Sequence, residues 1–198
     1  MKKLSLFIDT SQCLKLGLID SSKKFISFTE ISDKKCGDII HTEINKLLTD
    51  QGLSLFDLSS CFFLMGPGSY TGLRFTQGIM DLFKMENIEC YSFYWFDIPW
   101  LLNPQNNDKY IFMTNAFKGE SLILWIKDGE IEQQKLILNK DVPKFSETIS
   151  EKIWKIDGDL SNAFDRDYAQ VLQRVEDLKS IKPIYYFRSD IEEFTPAL

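Results

Sequence analysis

GPGSYTGLR, residues Gly66 to Arg74, follows the continuous apolar run Cys61-Phe62-Phe63-Leu64-Met65 and leads into a segment with helical spacing. A buried strand, a glycine turn and a helix start in direct succession place backbone N–H groups at one exposed corner. Either an anion or a partner protein could use that corner, and the residues of the turn discriminate. A Walker loop needs GxxxxGK followed by Ser or Thr. Here Gly66 and Gly72 stand one residue too far apart, and Leu73 occupies the lysine position. A dinucleotide loop needs GxGxxG inside an opening βαβ unit, whereas residues 66–72 read GxGxxxG and follow a strand meander. A nucleophile elbow would need glycines two residues to either side of Ser69, where Pro67 and Thr71 stand. What remains is a tight turn with Ser69 or Thr71 capping the helix. Beside it lie Tyr70 and Arg74, an aromatic and a cation of the kinds that anchor protein interfaces.

Upstream of the turn, Leu4 to Ile8 reads as a strand, Asp9-Thr10-Ser11-Gln12 as a turn, and Leu14, Leu16 and Leu18 alternate at period two. A third strand is expected over Phe25 to Ile31. From Asp38 the period changes: Ile39, Ile40, Ile44, Leu47 and Leu48 share one side of a helix, with Asp38 as N-cap and Gly52 as the stop. The helix after the glycine turn, about Thr71 to Glu86, is apolar over about half its circumference through Leu73, Phe75, Ile79, Met80, Leu82 and Phe83. A helix lying on a sheet needs a narrower stripe, so this one is expected to be covered on two sides. A strand at Ile88–Phe93 follows. Asn103 to Lys109 marks the lobe boundary. Beyond it come strands at Tyr110–Thr114, Ser121–Ile126 and Ile131–Leu138, with a hairpin turn at Lys127-Asp128-Gly129-Glu130. A short helix is expected around Phe145–Ser150, a strand at Ile153–Ile156 and a longer helix at Arg166–Lys179.

Meandering strands, a helix, a strand and a helix, followed by a similar strand-rich lobe, form an α/β pattern. The order suits the ribonuclease-H-like, actin-like fold of the sugar kinase, heat-shock and actin superfamily. Residues 1–104 then form an N-terminal α/β lobe, and residues 105–198 a smaller C-terminal lobe whose tail packs back on the first.

Composition narrows the function. A net charge of −6 argues against a stand-alone nucleic-acid binder, which needs a basic stripe for phosphates. No apolar stretch reaches the roughly 18–20 residues that span a bilayer, and Asp9 cuts the apolar run after Met1-Lys2-Lys3 too short for a signal peptide. Cytoplasmic residence and no membrane contact are expected. Cys13, Cys36, Cys61 and Cys90 are widely spaced, with no CxxC pair, and read as reduced, mostly buried thiols.

The nonapeptide resembles the hallmark of the bacterial tRNA threonylcarbamoyladenosine biosynthesis protein TsaB (YeaZ) family. Ile8-Asp9-Thr10-Ser11 is similar to that family's opening IDTS, and His41 with Ile44-Asn45-Lys46-Leu47-Leu48 resembles its first helix. Gly52-Leu53-Ser54-Leu55-Phe56-Asp57-Leu58 looks like its GLSLSDLD connector, Asp157-Gly158-Asp159 its GDG turn, and residues 183–188, PIYYFR, its PxYLR tail. The match is strong over residues 5–95 and weak afterwards. It implies an inactive relative of the transferase TsaD that pairs with it through the first two helices. The pair supports threonylcarbamoylation of the adenosine beside the anticodon, with a TsaE-like ATPase joining and tRNA met only through the complex.

The residues can be set beside that implication. Catalysis by the transferase needs paired metal-binding histidines, and His41 is this chain's single histidine. It reads as a polar residue at the edge of an apolar helix face. Asp9 stands at the kind of turn that holds magnesium in this superfamily, but without the usual glycine neighbour. The expectation is therefore no intrinsic catalysis, no metal and no cofactor of its own, with ATP or ADP at the complex interface. The alternative is a small ATPase or sugar-kinase-like enzyme of the same superfamily. The expected contact set is Ile40, Glu43, Ile44, Leu47, Tyr70, Thr71, Leu73, Arg74, Gln77 and Met80, cornered by the turn Gly66, Pro67, Gly68, Ser69 and Gly72. The same surface would pair with itself in a homodimer when the partner is absent. Two departures stand out. Residues 75–81 read FTQGIMD where the family has smaller residues, and Asn115 and Phe117 replace an Asp and an Arg.

Overall fold

A computed structural model describes residues 4–32, 36–105, 109–116 and 119–186. Side chains of Cys36, Asp38, Asp157 and Asp159, together with Phe117 and residues 187–198, lie outside that description. The described chain forms two compact units, one from residues up to Tyr94 with Leu172–Tyr186, the other from Trp95–Val171. The division thus falls earlier than the expected boundary at Asn103–Lys109. The reason is aromatic packing. Trp95 meets Phe164 edge-on at 6.0 Å, Phe96 meets Phe112 at 5.7 Å, and the Tyr110 hydroxyl donates to the Phe96 carbonyl at 2.7 Å. These contacts draw residues 95–102 into the second unit, including the short helix α3 (Ile98–Leu102), which the sequence reading did not anticipate.

In the first unit, strands β1 (Leu4–Asp9), β2 (Leu14–Ile19), β3 (Phe25–Ile31), β4 (Leu58–Leu64) and β5 (Glu89–Phe93) form one sheet in the order β3-β2-β1-β4-β5. β1 is central and buried throughout, antiparallel to β2 and parallel to β4. Helices α1 (Cys36–Thr49) and α2 (Tyr70–Met85) follow β3 and β4. α1 begins before the expected cap Asp38. It stops as anticipated at Gly52, which adopts φ +67° while Leu53 N–H donates to the Leu48 carbonyl at 2.9 Å.

Side chains alternate across a strand, so Phe62 and Phe63 face opposite sides of the sheet. Phe63 meets Phe83 of α2. Phe62 lies under the Lys23 ammonium, 4.9 Å from the ring centre, and that ammonium pairs with Glu176 at 2.7 Å. The two faces are thus covered by α2 and by the end of a later helix, α5 (Ser161–Asp177).

The second unit has the sheet β8-β7-β6-β9, from β6 (Tyr110–Asn115), β7 (Glu120–Lys127), β8 (Glu130–Leu138) and β9 (Lys152–Lys155). Asp128 and Gly129 make the hairpin with φ +53° and +78°, the left-handed pair such two-residue turns require. Helix α4 spans Val142–Glu147, earlier than the expected Phe145–Ser150. Pro143 in its first turn is pre-set for a helix start, and the chain leaves the helix where Thr148 turns back on the Phe145 carbonyl. α4 packs Phe145 edge-on against Trp125. α5 starts before the expected Arg166, and non-helical angles at Asp167 break it just after that residue.

Candidate partner-binding face

The glycine turn is pinched from two sides. Gly66 has φ +109°, precedes a cis Pro67 and sits where a Cβ would run into the Tyr185 carbonyl oxygen. Tyr185 N–H donates to the Met65 carbonyl at 2.8 Å, so the segment before residue 187 runs alongside the turn. On the other side Ser69 N–H donates to the Ser11 carbonyl at 2.8 Å. A side chain at Gly68 or Gly72 would strike the backbone of Ser11 or Thr10. Ser69 Oγ accepts from Gly72 N–H at 3.4 Å, the cap expected from the sequence. The motif's glycines thus serve close packing, and the N–H groups of Ser69, Gly72 and Leu73 are bonded within the chain. That leaves them unavailable to an anion.

The expected contact residues divide by burial. Ile40 and Leu73 are 0% exposed, Met80 2% and Leu47 6%, so the chain's own core takes them and they are corrected out of the contact face, whereas Ile44, 7% exposed, lines the groove between α1 and α2. Thr71 and Arg74 are exposed, while Glu43, Tyr70 and Gln77 are half-buried. Tyr70 packs edge-on against Tyr186 at 4.7 Å with the Arg74 guanidinium 5.7 Å from its ring, and Gln77 donates to Asp81 at 2.8 Å. His41 is exposed.

The sequence reading missed what lies outward. Phe75 is 38% exposed, Leu82 52% and Met85 77%. Leu82 and Met85, with Glu86, form one wall of an apolar groove of about 340 Å³. His41, Ile44, Asn45 and Leu48 of α1 line the other, and Ile79 and Phe83 lie in its floor. The half-circumference of apolar residues held this signal. Which half of that arc meets the sheet was not readable from spacing.

The acidic corner at the end of β1 is closed. Asp9, Thr10 and Ser11 are 1–2% exposed, and the Thr10 and Thr76 hydroxyls bond at 2.6 Å. Asp9 Oδ1 accepts from Ser11 N–H at 2.8 Å, while Oδ2 has no hydrogen-bond partner among the described residues. Burial pushes its carboxyl pKa up, the Ser11 bonds opposing only in part. The sign follows from proton linkage. The stability Asp9 offers is fully present below the ordinary carboxylate range and is lost as pH rises through the raised folded value. Asp9→Asn is therefore expected to raise the melting temperature at neutral pH, with the gain shrinking on acidification. Thermal melts across that range check this, and a lower melting temperature for the variant at neutral pH would contradict it.

The thiols are held protonated: burial pushes Cys13 up to about 12 and Cys90 to about 11, and Cys61 well above the usual range. No thiolate nucleophile stands ready in these three. Among the described residues no three His, Cys, Asp or Glu side chains gather closely enough to share an ion. Nor is any described helix long and apolar enough to cross a membrane.

Among solved structures, YeaZ from Pseudomonas aeruginosa superposes with a TM-score of 0.53 at 14% identity, covering 87% of this chain and 99% of that one. The chain has a YeaZ-like fold. A second structure, an uncharacterized protein with similarity to peptidase YEAZ from Pseudomonas aeruginosa, matches with a TM-score of 0.50 at 13% identity, covering 85% of this chain and 92% of that one. At such identities the likeness is one of fold. The YeaZ-like fold is the actin-like, ribonuclease-H-like class expected from the element order. No protein-family model matches the chain, and no curated protein does.

Proposed function

We propose that this chain is a non-catalytic subunit that pairs, through the groove between α1 and α2, with a TsaD-like threonylcarbamoyl transferase. In that role it supports threonylcarbamoylation of the adenosine beside the tRNA anticodon in the cytoplasm. A TsaE-like ATPase joins the assembly, tRNA is met only through the complex, and ATP or ADP is held at the complex interface. In the partner's absence the same groove receives a second copy of the chain.

The observation that carries the reading is a contrast within one unit. The corner where this fold class would hold phosphates is filled by Thr10, Ser11 and Thr76, while an apolar groove edged by the exposed Leu82 and Met85 stays open. Exposed apolar surface rimmed by polar groups, here His41, Asn45 and Glu86, suits protein contact. The YeaZ-like fold and the nonapeptide Gly66–Arg74 agree with it. Mixing the purified chain with a transferase homologue, with and without ATP, is expected to give a heterodimer by light scattering. Two species that stay separate under both conditions would overturn the reading.

One observation favours a small ATPase instead: Asp9, at the end of β1, keeps an oxygen without a partner. ATP turnover by the isolated chain that Asp9→Ala abolishes would establish that reading in place of the first.

A further inference from the structure

The second unit repeats the chain order of the first. In each, three antiparallel strands, a helix and a strand parallel to the first give the same run of neighbours, β3-β2-β1-β4 and β8-β7-β6-β9. In the first unit the corner beyond the carboxyl ends of β1 and β4 is filled, because Gly68, Gly72 and Thr76 press on Ser11 and Thr10. The corresponding corner of the second unit, beyond β6 and β9, is a pocket of about 260 Å³. Carboxyl ends of parallel strands are where open α/β sheets hold ligands.

Its chemistry is one-sided. Met113, Val142 and Ile156 supply apolar lining, and Thr114, Asn115, Asn139 and Lys155 supply polar groups. Among the described side chains no carboxylate lines it, although the chain carries a net charge of −6. Ser121, 3% exposed, donates to Asn139 Oδ1 at 2.7 Å, which leaves the amide N–H groups to donate elsewhere. With the side chains and backbone groups that are described, the side chains of Thr114, Asn115 and Lys155 make no hydrogen bond or ion pair. Donors and an ammonium gathered over an apolar floor match an oxyanion on a short apolar body.

We infer that this pocket binds a small carboxylate or phosphate ester, its oxyanion held by Lys155 with Thr114, Asn115 and Asn139, and its body resting on Met113, Val142 and Ile156. The pocket lies wholly in the second unit, so the inference stands apart from docking at α1 and α2.

The full ¹⁵N-labelled chain, titrated with sodium phosphate and separately with sodium butyrate, tests it. Saturable amide shifts confined to residues 113–115, 121, 139 and 155–156 are expected, with a Kd on the order of 1 mM for so small a probe. Shifts with phosphate alone assign a phosphate ester, with butyrate alone a carboxylate, and with both the shared oxyanion. Lys155→Gln, at an exposed strand end, is expected to weaken binding about tenfold without changing the melting temperature. Lys152→Gln, exposed on the same strand, leaves binding unchanged. No saturable shift with either probe, shifts reproduced by sodium chloride at matched ionic strength, or binding that Lys155→Gln leaves intact would each overturn the inference.

Discussion

Replacing Leu82 with aspartate is expected to weaken pairing with a TsaD-like transferase at least about a hundredfold, while the isolated chain keeps its melting temperature. Leu82 is 52% exposed on the outer side of α2, so the new carboxylate is hydrated in the monomer. Docking would strip that water away, and an unpaired charge buried at an interface costs on the order of 3 kcal/mol or more, which corresponds to a hundredfold in affinity. Met85→Asp, at a position 77% exposed and on the same groove wall, should act in the same direction. Leu138→Asp, on the exposed β8 of the second unit, should not. Titration calorimetry against the transferase homologue and thermal melts of the free chain read both quantities. Undiminished affinity in Leu82→Asp would remove the groove from the interface.

Leu73 behaves in the opposite way, although it lies on the same helix. Its side chain is 0% exposed and its Cδ1 lies against the Gly66 position of the motif turn. Truncation to alanine deletes buried methyl groups and leaves a cavity the neighbours fill only in part, a loss of about 3 kcal/mol or more. For a chain of this size that lowers the melting temperature by on the order of 10 °C. Leu73→Asp would place a charge in the core and prevent the first unit from folding. Circular dichroism melts decide the matter: a Leu73→Ala protein that melts like the parent would show the side chain to be outside the core. A lost interaction in either Leu73 variant would therefore report stability and not contact.

The contrast between Leu73 and Leu82 shows how far the sequence reads. Both belong to the apolar arc of α2, and periodicity treats them alike. The strand, turn and helix around Gly66–Arg74 were legible, because a run of buried residues and glycines at fixed offsets are local signals. So were the three-strand meander and the Asp128–Gly129 hairpin. Boundaries set by packing were not. Trp95 and Phe96 belong with the second unit through rings at residues 164 and 112, contacts far apart along the chain. α4 begins where Pro143 allows, which the apolar spacing around Phe145 did not reveal.

The order of the main strands and helices, its fit to the actin-like class, and the mismatch of the glycine turn with the Walker, dinucleotide and elbow patterns follow from residue types and spacing, since each depends on neighbours along the chain. Tertiary structure alone decided which flank of α2 faces water, that the Asp9 corner is closed, and that the matching corner of the second unit is open. Those outcomes turn on which side of a helix or strand end another segment covers. Burial of that kind is a property of contacts distant in sequence, and no local pattern encodes it.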